Sequence, residues 1–384
     1  MKKNPLRELS RLGQAVWLDY IRRDLIRGGG LQRLIDEDGL QGMTSNPAIF
    51  EKAILESDAY DADIRALALR GATPQHIFEA LSVQDVGEAA DVFRPVYEST
   101  RGSGGYVSLE VNPHLAHDAA ATIIEARHLW GALDRPNVLI KVPGTAEGLP
   151  AIRQLISEGI NVNVTLLFGL PRYREVIDAY LSGIEARLGR NEPVEKIASV
   201  ASFFVSRMDT LVDPQLEKII AEGGAKAPLA RELRGHIAVA NSRQAYRIYR
   251  EVFESERFKR LAARGAPVQR LLWASTSTKN PEYSDVKYVE ELIGPDTINT
   301  MPLSTIDAYR DHGDPGWRIG QDAAAAAATL AQLAGLGIDM ERVTQQLEEE
   351  GDRKFCEPYD KLMATLGGMA AHPEGVKHSA AHAA

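Results

Sequence analysis

Short apolar runs alternate with longer amphipathic segments along the chain. The runs are rich in Val, Ile and Leu, whereas the segments between them repeat apolar residues at helical spacing. This pattern is typical of a parallel α/β protein, in which helices connect buried strands. Eight runs predict eight strands, at Ala15–Asp19, Gly42–Asn46, Tyr106–Val111, Val138–Val142, Asn161–Leu167, Ala198–Val205, Arg270–Thr276 and Thr297–Met301.

Eight strands alternating with helices favour a closed (β/α)8 TIM barrel over an open doubly wound sheet. The first run is not followed by the Gly-x-Gly-x-x-Gly fingerprint of a dinucleotide-binding sheet. Three segments exceed what a barrel needs: helical insertions at about 47–105 and 208–267, and helices over 304–369 that include the tract Ala323–Ala328. We expect these helices to wrap the barrel in a single domain over residues 1–369, and residues 370–384 to form a disordered tail.

Side chains alternate between the two faces of a strand, which predicts where the polar residues of these runs point. In the fourth run the β-branched residues at 138, 140 and 142 share the face that must meet the helices, so Lys141 points into the barrel. The same alternation turns polar side chains inward on four other strands: Asp19; Ser108 and Glu110; Asn161, Asn163 and Thr165; and Ser202. Active sites of barrel enzymes lie at the C-terminal ends of the strands, which is where Asp19, Glu110 and Lys141 fall.

Lys141 is the most informative of these residues, because it stands where a buried strand ordinarily has another Val or Leu. Burial disfavours the charged form of a lysine, so it lowers the pKa and yields an amine able to form a Schiff base. Asp19 and Glu110 could then move protons as the imine forms and as the bond next to it breaks. Two alternatives stay open: a lysine that snorkels to water from the strand end, and a buried ion-pair cluster without chemistry.

The ends of the sixth and seventh runs carry hydroxyls and cations that suit a phosphate group. They read Ser202-Phe-Phe-Val-Ser-Arg-Met-Asp209 and Ala274-Ser-Thr-Ser-Thr-Lys-Asn280. We therefore expect Arg207, Ser275 and Lys279 on the side where barrels often bind phosphate. Taken alone, such hydroxyl-rich turns also serve as plain helix caps. Asp209 either pairs with Arg207 or caps the following helix.

Composition narrows the class of partner. The 384 residues carry a net charge of −9 and a pI of about 5.6, which gives no electrostatic footprint for nucleic acid or anionic membrane. No stretch of eighteen apolar residues occurs, and the basic N-terminus lacks an apolar run after it. A single cysteine, Cys356, rules out an internal disulfide and a cysteine-rich metal site, and we expect it to serve packing. These observations predict a cytoplasmic protein.

Five motifs, in this order, resemble those of transaldolases in their longer bacterial form. They are Thr44-Ser-Asn-Pro47, Ser108-Leu-Glu-Val111, Ile140-Lys-Val-Pro143, Gly159-Ile-Asn-Val-Asn-Val-Thr-Leu-Leu-Phe168 and Ser202-Phe-Phe-Val-Ser-Arg207. Lys141 stands on the fourth strand, as the imine lysine of that family does, and Asp19 matches on the first. The resemblance implies an enzyme of the pentose phosphate pathway that moves a dihydroxyacetone unit. Its donors would be sedoheptulose 7-phosphate or fructose 6-phosphate, and its acceptors glyceraldehyde 3-phosphate or erythrose 4-phosphate.

The resemblance also implies a role for each matching residue. Asp19 would act as acid/base at the hydroxyl whose deprotonation breaks the carbon–carbon bond. Glu110 would work through a water, held with Thr165, while the imine forms and hydrolyses. The implied substrate contacts are Asn46 and Asn163 to the dihydroxyacetone hydroxyls, and Ser202 with Arg207 to the phosphate. Neither a metal nor an organic cofactor is required, because the iminium is itself the electron sink.

One position departs from the family pattern. Shorter transaldolases supply a second phosphate-binding arginine after the seventh strand, where this sequence has Ser275-Thr-Ser-Thr-Lys279. Lys279 could substitute, but a lysine is a point charge that cannot form a bidentate fork. Two other functions stay open: an aldolase of the same fold that releases free dihydroxyacetone, and a catalytically inactive sugar-phosphate-binding barrel. The sequence leaves the preferred ketose and a homo-oligomeric state undecided.

Overall fold

The computed structural model describes residues 4–321 and 323–373. Eight parallel strands close into a barrel in sequence order, with the last strand paired to the first. The strands are β1 (Gln14–Asp19), β2 (Gly42–Thr44), β3 (Tyr106–Glu110), β4 (Val138–Pro143), β5 (Val162–Leu167), β6 (Ser199–Phe204), β7 (Gln269–Ala274) and β8 (Thr297–Met301). The predicted (β/α)8 barrel and all eight predicted strands are thereby confirmed, with small shifts at their ends.

Helices surround this barrel. Over the described part of the chain they are α1 (Pro5–Arg11), α2 (Arg23–Arg27), α3 (Gly30–Asp38), α4 (Pro47–Leu55), α5 (Asp61–Leu69), α6 (Pro74–Ser99), α7 (Ala119–Leu133), α8 (Gly148–Glu158), α9 (Leu170–Gly189), α10 (Ser206–Glu222), α11 (Ala227–Leu233), α12 (Ile237–Phe253), α13 (Glu256–Ala262), α14 (Lys287–Glu290), α15 (Leu303–His312), α16 (Ala323–Leu336) and α17 (Met340–Ala371). Two short 3-10 helices, Asp58–Tyr60 and Pro113–Leu115, complete the set. The extra helices follow β2, β6 and β8, where the sequence predicts them.

Helix α17 reaches the barrel mouth as well as packing around the barrel. It packs on α4, α5, α6 and α10, and it also contacts β5, so it crosses the C-terminal mouth of the barrel. The helix continues to Ala371, so the start of the expected tail at residue 370 is wrong. Residues 374–384, the rest of that tail, lie outside the described residues.

The alternation of side chains along the strands divides the barrel interior into two levels. On three strands, an apolar residue lines a cavity toward the N-terminal ends, and a polar residue two positions later lines a cavity of about 490 Å³ at the C-terminal mouth. The pairs are Trp17 and Asp19 on β1, Leu139 and Lys141 on β4, and Val200 and Ser202 on β6. The predicted inward direction of these polar residues is therefore confirmed.

Asn161, unlike Asn163 and Thr165 on the same run, has a structural role at the N-terminal end of β5. Its amide donates to the carbonyl oxygens of Pro136 and Val138, and its oxygen accepts from the backbone of Ala198. It therefore holds the beginnings of three strands in place. Within the described residues, no single helix is long and apolar enough to span a membrane. By length and composition, α16 and α17 meet that criterion only as a pair, across a bend of 94°.

Candidate active site

Lys141 lies at the centre of the cavity at the barrel mouth, with a side chain that is 6% exposed. Its Nζ donates a hydrogen bond of 2.9 Å to the carbonyl oxygen of Ser45 and lies 3.1 Å from Oε2 of Glu110. Glu110 ends β3 directly opposite Lys141 in the strand register, which brings the two side chains together. The lysine therefore does not snorkel to water, because its amine ends against protein oxygens.

Burial changes the acid/base behaviour of the two carboxyl groups. It raises the pKa of Glu110, and the nearby ammonium of Lys141 opposes that shift. It also raises the pKa of Asp19, although part of this side chain is accessible from the cavity; here Lys141 and a hydrogen bond from Thr44 oppose the shift. The Thr44 hydroxyl donates to Asp19 Oδ1 over 2.8 Å. Carboxyl groups with raised pKa values can take up and return protons closer to neutral pH.

Several buried polar atoms beside Lys141 have no hydrogen-bond partner among the described residues. They are both carboxyl oxygens of Glu110 and Oγ1 of Thr165. Glu110 Oε2 forms an ion pair with Lys141 across 3.1 Å. An unpaired buried polar atom typically costs about 1–3 kcal/mol. Such atoms are therefore candidates for groups that bind water or substrate during a reaction.

The backbone is strained at two places around the mouth. Leu166 has a φ of 60° and Ser275 a φ of 55°, in the left-handed region that residues other than glycine rarely adopt. Leu166 follows Thr165 within a shift of register between β5 and β6. Ser275 lines the cavity just after β7, with its hydroxyl 3.0 Å from that of Ser206. Bulges and left-handed residues of this kind are concentrated at functional sites.

The two asparagines of the predicted site lie at different depths. Asn46 lines the cavity, and its Oδ1 accepts from the backbone of Ile49 over 3.0 Å, which caps α4. Asn163 is fully buried and does not line the cavity. It donates to the Ser108 hydroxyl over 3.0 Å and accepts from the Ser202 hydroxyl over 2.7 Å. Ser202, which does line the cavity, is thus held by Asn163.

Two cations, Arg207 on α10 and Lys279 after β7, line the same cavity. The Arg207 guanidinium lies 5.1 Å from the centroid of the Phe204 ring, and its Nη1 has no hydrogen-bond partner in the described chain. Burial lowers the pKa of Arg207, but an arginine stays charged. Lys279 is exposed, and its Nζ donates to the Ser277 hydroxyl over 2.8 Å. A partly buried guanidinium with one unpaired nitrogen and an exposed ammonium therefore line the same cavity.

Both expectations for Asp209 are wrong. It lies within the first turn of α10 and accepts hydrogen bonds from the backbone of Ala238 over 2.7 Å and from the Tyr288 hydroxyl over 2.9 Å. Burial raises the pKa of Asp209 to about 6. Because Ala238 belongs to the first turn of α12, Asp209 supplies an acceptor to that helix and fastens it to α10 behind the site.

Sequence reasoning missed several residues that line the cavity, among them Thr44, Thr300 and Phe355. The sequence contains an indication for Thr44, since this residue ends β2 within the motif that also contains Asn46. Thr300 is linked to Thr44 by a hydrogen bond of 2.8 Å between their hydroxyls, and so supports Asp19 indirectly. Phe355 comes from α17, and no pattern within that helix indicates that it meets the barrel mouth.

Comparisons with known proteins identify the family of this chain. The family model described as Transaldolase/Fructose-6-phosphate aldolase matches residues 16–366. A "Transaldolase 2" of Nostoc sp. is 47% identical over 373 residues, which cover 96% of this chain and 98% of the relative. A transaldolase of Mycobacterium bovis is 50% identical over 364 residues (94% and 96%), and one of Thermobifida fusca is 48% identical over 371 residues (96% and 99%). Because the family model and these relatives match the chain almost from end to end, the protein belongs to the transaldolase/fructose-6-phosphate aldolase family.

Proposed function

We propose that this protein is a cytoplasmic transaldolase that transfers a dihydroxyacetone unit between phosphorylated sugars through a Schiff base on Lys141. The donor is sedoheptulose 7-phosphate or fructose 6-phosphate, and the acceptor is glyceraldehyde 3-phosphate or erythrose 4-phosphate. The observation that carries the proposal is the buried amine of Lys141, which lies against Glu110 and Ser45 in a cavity that Asp19 also lines. The relatives named transaldolase support the same activity.

The first half of the reaction builds the imine. Lys141 loses a proton, and its amine adds to the ketone carbon of the donor. Glu110, whose pKa is raised by burial, moves the protons of this step and helps the carbonyl oxygen to leave as water. Thr165, whose Oγ1 has no hydrogen-bond partner within the described residues, holds the water through which Glu110 acts. Loss of water gives an iminium cation.

The second half breaks and remakes a carbon–carbon bond. Asp19 takes the proton from the hydroxyl next to the scissile bond, and the electrons of that bond flow into the iminium. An aldose phosphate leaves, and a dihydroxyacetone enamine stays on Lys141. The enamine then attacks a second aldehyde while Asp19 returns the proton. The hydrogen bond from Thr44 holds the Asp19 carboxyl in position for both transfers.

The remaining polar groups bind the substrate. The oxygen of Asn46 already caps α4, so its amide nitrogen is the group that donates to a dihydroxyacetone hydroxyl. Arg207 lines the cavity and anchors the phosphate by charge-assisted hydrogen bonds. Ser275 and Lys279 add a hydroxyl and a positive field on the same side. Asn163 acts from below by holding Ser202.

Borohydride trapping tests this proposal. Reduction in the presence of fructose 6-phosphate should fix a dihydroxyacetone adduct on the peptide that contains Lys141, as measured by mass mapping. Lys141→Arg should give no adduct and only background transfer, because a guanidinium stays protonated and cannot add to a ketone. Lys52→Arg is the matched control, since Lys52 lines the same cavity, and its adduct should persist. Label on another lysine, or transfer by Lys141→Arg, would overturn the proposal.

Release of free dihydroxyacetone is the competing outcome, because the matching family description also names fructose-6-phosphate aldolases. In that reaction water protonates the enamine and no second aldehyde is needed. The two activities differ only in whether the enamine is protonated by water or adds to a second aldehyde. Assaying free dihydroxyacetone beside the transfer product therefore separates them.

A further inference from the structure

Helix α17 covers the catalytic cavity with an aromatic side chain. Phe355 is 4% exposed, lines the same cavity as Lys141, and has its ring centroid 5.6 Å from Lys141 Nζ. That distance is within the range of a cation–π contact. The reactive amine therefore has two protein oxygens, those of Ser45 and Glu110, and one aromatic ring as its neighbours.

One face of α17 is built to approach the barrel closely. Gly351, Phe355 and Tyr359 are spaced by four residues, so they lie along one side of the helix. A Cβ at residue 351 would lie 3.0 Å from a Leu166 methyl and 3.6 Å from Arg207 Nη1, so the helix backbone approaches the barrel closely here. Tyr359 lines a small cavity beside Glu110. The same face thus contacts the surroundings of Arg207, Lys141 and Glu110 in succession.

An aromatic ring above the imine affects two competing fates of the bound intermediate. Its π electrons attract the iminium cation, and its apolar surface occupies space that water would otherwise enter. Water can quench the enamine in a balanced sequence. The enamine carbon takes a proton, which gives an iminium; water then adds to the iminium carbon, the carbon–nitrogen bond breaks, and dihydroxyacetone leaves the regenerated amine of Lys141. No oxidant or further reactant is needed.

We propose that Phe355 determines the reaction outcome by keeping water away from the enamine on Lys141, so that transfer to an aldehyde prevails over release of dihydroxyacetone. This inference rests on the proposed Schiff-base function. Phe355 is a specificity-determining residue in this role, since it performs no proton transfer. Its effect lies in the partition between two products rather than in the rate at which the imine forms.

The test measures free dihydroxyacetone and transferred product in one reaction with fructose 6-phosphate and erythrose 4-phosphate. Phe355→Ala should raise the ratio of free to transferred dihydroxyacetone on the order of tenfold. Phe355→Leu, which keeps an apolar side chain but loses the ring, should raise it less. Leu366→Ala is the control, because Leu366 is also fully buried on α17 but is 11 residues away from Phe355 along the helix. Its ratio should equal that of wild type.

The ratio is insensitive to the amount of folded enzyme, so a general loss of stability does not imitate the effect. If Phe355→Ala does not fold, Phe355→Leu decides. A wild-type ratio in every folded Phe355 variant overturns the inference, and so does an equal rise in Leu366→Ala. Failure of the proposed function has a different signature, since wild type would then form no borohydride adduct and transfer nothing.

Discussion

The barrel mouth and the α2–α6 contact each bury a cation among carboxylates, but they differ in how completely the polar atoms are paired. At the second place Arg23, 1% exposed, donates to Asp85 over 2.9 Å, to Asp63 over 2.7 Å and to Gln84 over 3.2 Å. Its guanidinium also lies 4.4 Å from the centroid of the Tyr60 ring, and the Tyr60 hydroxyl donates to Asp85. Every member of this cluster has protein partners.

The mouth cluster has fewer partners and an open side. Lys141 makes one hydrogen bond and one ion pair, while Glu110 and Thr165 keep atoms without hydrogen-bond partners in the described chain. Burial raises the pKa of Asp85 just as it raises those of Asp19 and Glu110. A raised carboxyl pKa therefore does not by itself mark the site. Unpaired atoms beside a cavity distinguish the chemical cluster from the structural one.

The largest expected effect comes from removing the cation at each place. Arg23→Met leaves Asp85 buried without its main partner, so it should lower the free energy of unfolding by about 3–5 kcal/mol. Folded Arg23→Met should keep its kcat. Lys141→Met should lose transfer on the order of 10⁴-fold or more, because no other group supplies the amine. Urea unfolding and steady-state kinetics of both variants measure the two effects.

The comparison between the two clusters is tested by the free energy of unfolding of Lys141→Met. Arg23 donates side-chain hydrogen bonds to Asp85, Asp63 and Gln84, whereas Lys141 makes one hydrogen bond to Ser45 and one ion pair to Glu110. Lys141→Met therefore breaks fewer contacts and should lose less stability than Arg23→Met. Equal losses of stability in the two variants would show that Lys141 also stabilises the fold. In that case the pairing of polar atoms does not separate the two clusters.

The strands and their inward residues could be predicted because their signal is local. Alternation within β4 is enough to place Leu139 and Lys141 inside the barrel, and the same rule places Asp19 on β1. Contacts between distant elements could not be predicted in this way. Phe355 reaches the mouth from α17, and Asp209 serves α12 rather than its own helix. Neither the sequence around Phe355 nor that around Asp209 indicates which distant residues each side chain contacts in the folded protein.

The sequence also could not predict how deeply each site residue is buried below the cavity. Asn46 and Asn163 belong to equally clear motifs, yet one lines the cavity and the other lies below it. The difference arises because β2 ends at Thr44 and Asn46 already caps α4, whereas Asn163 stays within β5. Strand ends vary by a residue or two, and this variation decides whether a side chain reaches the cavity.

The next expected effect separates the two carboxyl groups of the mouth cluster. Asp19→Ala should still form the imine but should not break the carbon–carbon bond, so the uncleaved ketose adduct should accumulate. Glu110→Gln should slow formation of the adduct itself. Each change should reduce turnover by about 10²–10⁴-fold, the usual contribution of general acid–base catalysis. Borohydride quenching at set times, followed by mass spectrometry, reports both the species and its rate. The same species trapped at the same rate in both variants would contradict the division of roles.

The smallest expected effect concerns Arg207 and Lys279, which repeat the contrast between a more buried and an exposed charge. Arg207 has a buried, unpaired Nη1, whereas Lys279 is exposed and already donates to Ser277. Arg207→Ala should weaken phosphorylated substrates by about 10- to 100-fold for each charge-assisted hydrogen bond lost. Lys279→Ala should weaken them less, because a solvated ammonium acts mainly through its field.

Unphosphorylated glyceraldehyde is the control acceptor for both variants, because it has no phosphate to lose. Its kcat/KM should change little, and inorganic phosphate should inhibit wild type more than Arg207→Ala. A larger loss at Lys279 than at Arg207 would place the main phosphate contact after β7, at the strained Ser275 turn. An equal loss for both kinds of acceptor would mean that neither cation binds phosphate. The buried position of Arg207 would then reflect its packing on Phe204 rather than substrate recognition.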